Sequence, residues 1–211
     1  MIPERKRKTK DPCPNCYLHR ERCICESIPT LNLKTRLCLV VHAKELKRTT
    51  NTGRLAIKSL VNSEMRIRGV NSGNTQEALD LSDLLVPEYR TLLFYPSEDA
   101  VALTKDFIGE DPRPIQLIVP DGSWRQASKV HYRHHELKDV PRVMIKTPNT
   151  AVLHMRTETT PEGMATLEAI AQAMGIIEGD FVGQELMKLY NAKLENTLIG
   201  RGQLKKQDGQ K

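Results

Sequence analysis

The sequence predicts an α/β fold with a mostly parallel sheet, preceded by a small N-terminal segment that binds zinc. Three observations carry this. Short apolar runs alternate with stretches of helical spacing, the order that lays helices across a parallel sheet. His42, Ser97 and Asp121 stand at or just after the ends of such runs, where ligands sit in open α/β sheets. Four cysteines fall within thirteen residues near the N-terminus, in "CPNCYLHRERCIC".

The elements follow in order. Residues 1–10 hold Arg5, Lys6, Arg7, Lys8 and Lys10, a basic arm able to follow phosphates. Cys13, Cys16, Cys23 and Cys25 have the spacing C-x2-C-x6-C-x-C. Two close pairs on a short loop can set four thiolates around one tetrahedral zinc, and a closed four-ligand set is the structural pattern. A redox dithiol at Cys13 and Cys16 is the main alternative, but it leaves the second pair unexplained. His19 lies inside the loop and is a possible substitute ligand. Cys38 reads as a plain buried residue.

Residues 35–42 read as a strand, 51–65 as a helix, 91–96 as a strand and 97–103 as the start of a short helix. Residues 114–120 form a strand that Pro120 ends, because it cannot donate to a ladder. A helix opens at Ser123, with Gln126 three residues later completing a capping box. Residues 141–147 are a further strand. Residues 161–174 form an amphipathic helix, with Met164, Leu167, Ile170, Ala171 and Met174 in helical spacing. A last helix covers 181–198, and a polar tail follows. The expected organisation is a basic arm and zinc segment (1–30), one α/β domain (31–198) and the polar tail (199–211).

Composition narrows the function. Aromatics are only 4% of the 211 residues and the formal charge is +6, which suits an anionic partner such as nucleic acid. The basic start is followed by no apolar leader segment, and no apolar run reaches the roughly 20 residues of a membrane span. A cytoplasmic protein with reduced cysteines is expected. No G-x-G-x-x-G follows the first strand, which excludes the usual dinucleotide fingerprint.

The stretch "IVPDGSWRQASKV" is the most informative. Turn and cap chemistry account for Pro120, Gly122, Ser123 and Gln126 but leave Asp121 and Trp124 without a structural reason. With the cysteine set, "VHAKELKRTTNTGRLA" (His42, Glu45, Asn51, Thr52, Gly53) and "MATLEAIAQAM", this stretch resembles the DTW-domain family, the RNA-uridine aminocarboxypropyltransferases, and in particular its bacterial tRNA-modifying branch. Ser123 stands for the Thr of the name-giving motif and keeps its hydroxyl. Ala165 stands for a frequent Ser and carries none.

The resemblance implies a SPOUT-like α/β domain with a C-terminal trefoil knot that holds S-adenosylmethionine. It implies transfer of the 3-amino-3-carboxypropyl group to N3 of a uridine in tRNA, in the variable loop, with release of methylthioadenosine. Asp121 is then the base or the anchor of the cosubstrate's ammonium, and Trp124 lies near the sulfonium or the base. Pro96, Ser97, Val119, Pro120, Gly122, Thr166, Glu168 and Ala169 fall at the implied cosubstrate site. Arg5, Lys6, Arg7, Arg48, Asn51, Arg54, Arg125, Lys129 and Arg133 are the candidate RNA contacts. Two alternatives share parts of this pattern: a SPOUT-type RNA methyltransferase, and a non-enzymatic zinc-ribbon RNA-binding protein.

Overall fold

In the computed structural model the residues described are 9–72, 75–76, 78–147, 153–155 and 163–205. Six strands form one parallel sheet: β1 (Arg36–His42), β2 (Ser63–Arg68), β5 (Arg90–Phe94), β6 (Val101–Ala102), β7 (Ile115–Asp121) and β8 (Arg142–Met144). Their order is β2-β1-β7-β5-β8-β6. A small antiparallel pair, β3 (Asn71–Ser72) and β4 (Thr75–Gln76), stands apart from it. The helices are α1 (Gly53–Ser59), α2 (Lys105–Ile108), α3 (Trp124–Arg133), α4 (Thr166–Glu178) and α5 (Asp180–Gly200).

Strand alternation divides the core. Leu37, Leu39 and Val41 of β1, with Leu117 and Val119 of β7, join α4 and α5 in the larger cluster. Cys38, Val40 and Ile118 face the other way, against Val130 of α3 and Leu81, Leu84 and Leu137. Cys38 is fully buried as expected, and burial pushes its thiol up to about 12. Helices α4 and α5 meet closely at two glycines: a Cβ on Gly183 would lie 2.8 Å from Gly175 Cα.

Three expectations are corrected. The helix expected over 51–65 ends at Ser59. Asn62 donates to Lys34 O, and Ser63 Oγ donates to Leu60 O at 2.6 Å; such side chains compete with continued helix. The next residues form β2, an edge strand. The short helix expected from Ser97 is a turn that leads into β6, and a helix starts only after Thr104, whose hydroxyl accepts from Phe107 N at 3.1 Å. Pro120 does not end its strand. The β5 ladder stops at the Leu93–Ile118 pair while the β1 ladder runs on to Asp121. That leaves an open side, where a missing N–H costs no ladder bond.

The knot that the resemblance implies turns on the path between β8 and α4, where residues 148–152 and 156–162 lie outside those described. No helix among the described residues is long and apolar enough to cross a membrane.

Candidate active site

The carboxyl ends of β5, β7 and β8 and the starts of α1, α3 and α4 surround a cavity of about 380 Å³, within the usual size range of small-molecule sites. Asp121, the last residue of β7, is 6% exposed. Asn51 Nδ2 donates to its Oδ2 at 2.5 Å and Thr166 Oγ1 donates to its Oδ1 at 2.6 Å. Gly53 makes room for this carboxylate, since a Cβ there would lie 3.1 Å from Oδ2 and 2.9 Å from Leu39 Cδ2. Both donors match an ionised, acceptor-only carboxylate. Asp121 is the one acidic residue lining the cavity among the described residues.

The loop before α1 also builds the start of α4. Ala165 occupies the N-cap of α4 without a hydroxyl, and Thr52 supplies the missing acceptor: its Oγ1 receives the Leu167 N–H at 3.1 Å. Glu168 Oε2 accepts from Ala165 N at 3.2 Å. Replacing Thr52 by Val leaves a buried N–H unpaired. It should cost about 1–2 kcal/mol, or roughly 2–8 °C in Tm for a domain of this size. Adding Ala165→Ser should recover part of the loss by restoring a local cap. A thermal melt of the single and double variants checks this; no recovery would contradict the capping account.

Of the residues expected at the site, Asp121, Trp124, Pro96, Val119, Pro120, Gly122, Thr166 and Ala169 line the cavity, together with Arg48 and Asn51. Ser97 and Glu168 do not line it; Glu168 is 5% exposed and serves the α4 cap. Asn51, expected at phosphate, is buried against Asp121. Arg48 pairs with buried Glu45 at 3.0 Å. The Arg54 guanidinium lies 3.9 Å from the Tyr17 ring centroid. His42 packs under Gly69, and burial and then Arg68 and Lys44 hold its pKa below the usual value. Arg125, Lys129 and Arg133 lie along α3, and the charge of Arg133 lowers Lys129 first. Arg5, Lys6 and Arg7 lie outside the described residues.

Sequence reasoning missed Tyr95 and three methionines, Met144, Met155 and Met164, in the cavity wall. Thioethers suit a polarisable sulfur ligand, but nothing in their spacing marks them.

The four cysteines converge. Cys13 Sγ lies 3.5 Å from both Cys25 Sγ and Cys23 Sγ, and Cys16 Sγ lies 3.8 Å from Cys23 Sγ. All four lie within 4.8 Å of one another. Tetrahedral zinc with bonds near 2.3 Å places its sulfurs about 3.8 Å apart, so the set fits zinc and leaves no open position for chemistry. His19 is engaged elsewhere: its Nδ1 accepts from Glu21 N at 3.3 Å. Burial raises the Cys13 thiol, but the backbone N–H groups of Cys16 and Asn15 and the neighbouring thiols bring it down to about 6. Cys25 is pushed up by burial and by its thiol neighbours.

The cysteine segment is not a separate module. Cys13, Cys16, Leu18 and Ile24 belong to the main core. Lys193 of α5 is fully buried, and its Nζ donates to Cys16 O at 2.6 Å. Burial first, and then the charge of Arg54, push it down to about 8 against the pull of Cys16. A four-thiolate zinc carries net negative charge that such an ammonium offsets. Lys193 was detectable in sequence, because it falls on the buried helical stripe of Val182, Leu186, Leu189 and Tyr190.

The DTW domain pattern matches residues 10–198, covering the cysteine segment and the sheet domain together. The chain belongs to the DTW-domain family. Among curated proteins it is similar to tRNA-uridine aminocarboxypropyltransferase 2 of Macaca fascicularis, 24% identical over 188 residues, 88% of this chain and 63% of that protein. The Mus musculus protein of the same name is 23% identical over the same span. The Drosophila melanogaster one is 26% identical over 179 residues, 83% of this chain and 68% of that protein. The chain thus spans just under two thirds of the length of the first two. A solved structure, the SAM-dependent rRNA:acp-transferase Tsr3 from Vulcanisaeta distributa, superposes with a TM-score of 0.44 at 18% identity over 79% of each chain. In this DTW-domain chain, Asn51 and Thr166 hold Asp121 at the cavity wall.

Proposed function

We propose that this chain transfers the 3-amino-3-carboxypropyl group of S-adenosylmethionine to N3 of a uridine in tRNA, in the cytoplasm. The observation that carries the reading is Asp121, a buried carboxylate that accepts from Asn51 and Thr166 in a cavity otherwise lined by apolar and uncharged polar groups and Arg48. The curated relatives bear the name of this activity.

Asp121 anchors the ammonium of the cosubstrate's amino acid end. Asn51 and Thr166 hold its two carboxylate oxygens in place at the cavity wall, and a carboxylate fixed in this way suits the orientation of an ammonium. Fixing the ammonium turns the chain γ-carbon, rather than the methyl, toward the entering base, and alignment of that kind decides which carbon reacts. The N3–Cγ bond forms as the Cγ–S bond breaks; methylthioadenosine leaves with the electron pair of that bond, and the N3 proton passes to solvent water. Methionine side chains and Trp124 in the wall suit the sulfur end. The cysteine set holds structural zinc.

The cations of α3 contact tRNA phosphates. Replacing Arg125, Lys129 and Arg133 together by Ala should weaken tRNA binding and reduce the slope of log affinity on log salt by about 0.7–0.9 per lost contact. S-adenosylmethionine affinity should be unchanged. An unchanged slope, measured by titration at several salt concentrations, would remove these residues from the interface. The transfer itself is tested by incubating purified protein with S-adenosylmethionine and unmodified tRNA. Methylthioadenosine is the expected coproduct, and S-adenosylhomocysteine would mark a methyltransferase instead.

A further inference from the structure

We propose that α3 carries a stacking strip for the unpaired nucleotides flanking the target base, so that the RNA enters as a single strand. The inference rests on the RNA part of the reading above and adds the surface and the form of the partner. Ala127 and Val130 fill the buried face of α3. Trp124, Ser128, His131 and Tyr132 occupy another face, at helical spacing. Trp124 is 39% exposed and Tyr132 is 71% exposed. In a chain with 4% aromatics, two large rings left open to solvent on one short helix do not serve the core.

The rings form a continuous row. Tyr95, the residue after β5, lies against the helix with its ring centroid 6.5 Å from that of Trp124 and 5.7 Å from that of His131, stacked at 28° on the latter. The rings of His131 and Tyr132 meet in a T-shaped arrangement, their centroids 4.5 Å apart. The row starts in the cavity wall, where Tyr95 and Trp124 both stand, and ends at open Tyr132. Beside it runs a second stripe, Arg125, Lys129 and Arg133, spaced by one helical turn each. Lys44 and Arg68 stand close enough to act electrostatically on Lys129.

Rings beside cations are the arrangement that holds single strands: bases stack on the rings and the backbone follows the charges. A duplex satisfies only the cations, because its base faces are covered. The chemistry makes the same demand, since N3 of uridine is occupied in a Watson–Crick pair and must be free to react. A base entering the cavity past Trp124 leaves its neighbours unstacked, and the strip receives them.

The test uses the full chain, a short oligouridylate and a blunt RNA duplex of equal length at one salt concentration. Trp124 is the only Trp, so its fluorescence reports binding at the start of the strip. Oligouridylate should quench it and bind more tightly than the duplex. Tyr132→Ala, at an exposed position, should weaken oligouridylate binding by roughly 5- to 100-fold and leave duplex binding unchanged; Tyr132→Phe should behave as the unchanged protein. Equal binding of strand and duplex, absence of quenching, or Tyr132→Ala binding like the unchanged protein would each overturn the strip. Methylthioadenosine release with tRNA separates the two claims. Normal release by a Tyr132→Ala protein with unweakened binding rejects the strip alone, while no release by the unchanged protein, with oligouridylate still bound, rejects the transfer reading alone.

Discussion

Asp121→Asn should leave the chain folded and reduce aminocarboxypropyl transfer by roughly 100- to 1,000-fold, the usual cost of one lost electrostatic contact in a closed site. The fold tolerates the change for a stated reason. The amide oxygen can take the Asn51 donor, and its nitrogen can face Thr166, whose hydroxyl accepts as well as donates. What disappears is the charge. If that charge anchors the ammonium, S-adenosylmethionine affinity should fall by about 10- to 100-fold, as for a hydrogen bond between charged groups. If it were a base, binding would stay intact and only the chemical step would slow. Calorimetric titration with the cosubstrate, beside single-turnover rates, distinguishes these outcomes. Near-normal turnover would return Asp121 to a turn residue.

Removal of zinc should have the largest effect on stability. Cys23 is the exposed member of the set, so Cys23→Ser removes a ligand with little loss of packing. Its consequences should nonetheless reach the core, because Cys13, Cys16, Leu18 and Ile24 pack there and Lys193 is buried against Cys16. Without the metal the set no longer carries four thiolates, and that ammonium loses most of the negative charge it offsets. A loss of at least about 3 kcal/mol is expected for leaving a buried charge uncompensated, or roughly 6–12 °C in Tm. The effect should extend to the cavity, since Tyr17 stacks on the Arg54 side chain and the Arg54 backbone N–H donates to Asn51 Oδ1 at 3.2 Å. A chelator should lower the Tm of the unchanged protein to that of Cys23→Ser and leave the variant's Tm unaltered. Metal analysis should find about one zinc per chain. A metal-free protein with an unaltered melt and four titratable thiols would contradict this.

The sequence exposed the parts of the fold with strong periodicity. The strands β1 and β7 are nearly unbroken apolar runs, as strands covered on both faces must be. The edge strand β2, "SEMRIR", is half-buried and mostly polar, so it reads as the end of a helix, and β6 has only two residues. The acid of the site was legible because turn chemistry explained its neighbours and not Asp121 itself. Its donors were not: Asn51 and Thr166 stand 70 and 45 positions away from it in the chain, and no local rule links them to β7. The same distance hid the exchange by which Thr52 caps a helix that Ala165 cannot.

The most direct measurement is nucleoside mass spectrometry of unmodified tRNA after incubation with the purified chain and S-adenosylmethionine. The account predicts a uridine carrying the aminocarboxypropyl group, with methylthioadenosine formed in equal amount and both forming at least about 100-fold more slowly with Asp121→Asn. A methylated nucleoside with S-adenosylhomocysteine, or unmodified tRNA in the presence of a folded, zinc-loaded protein that binds the cosubstrate, would contradict it.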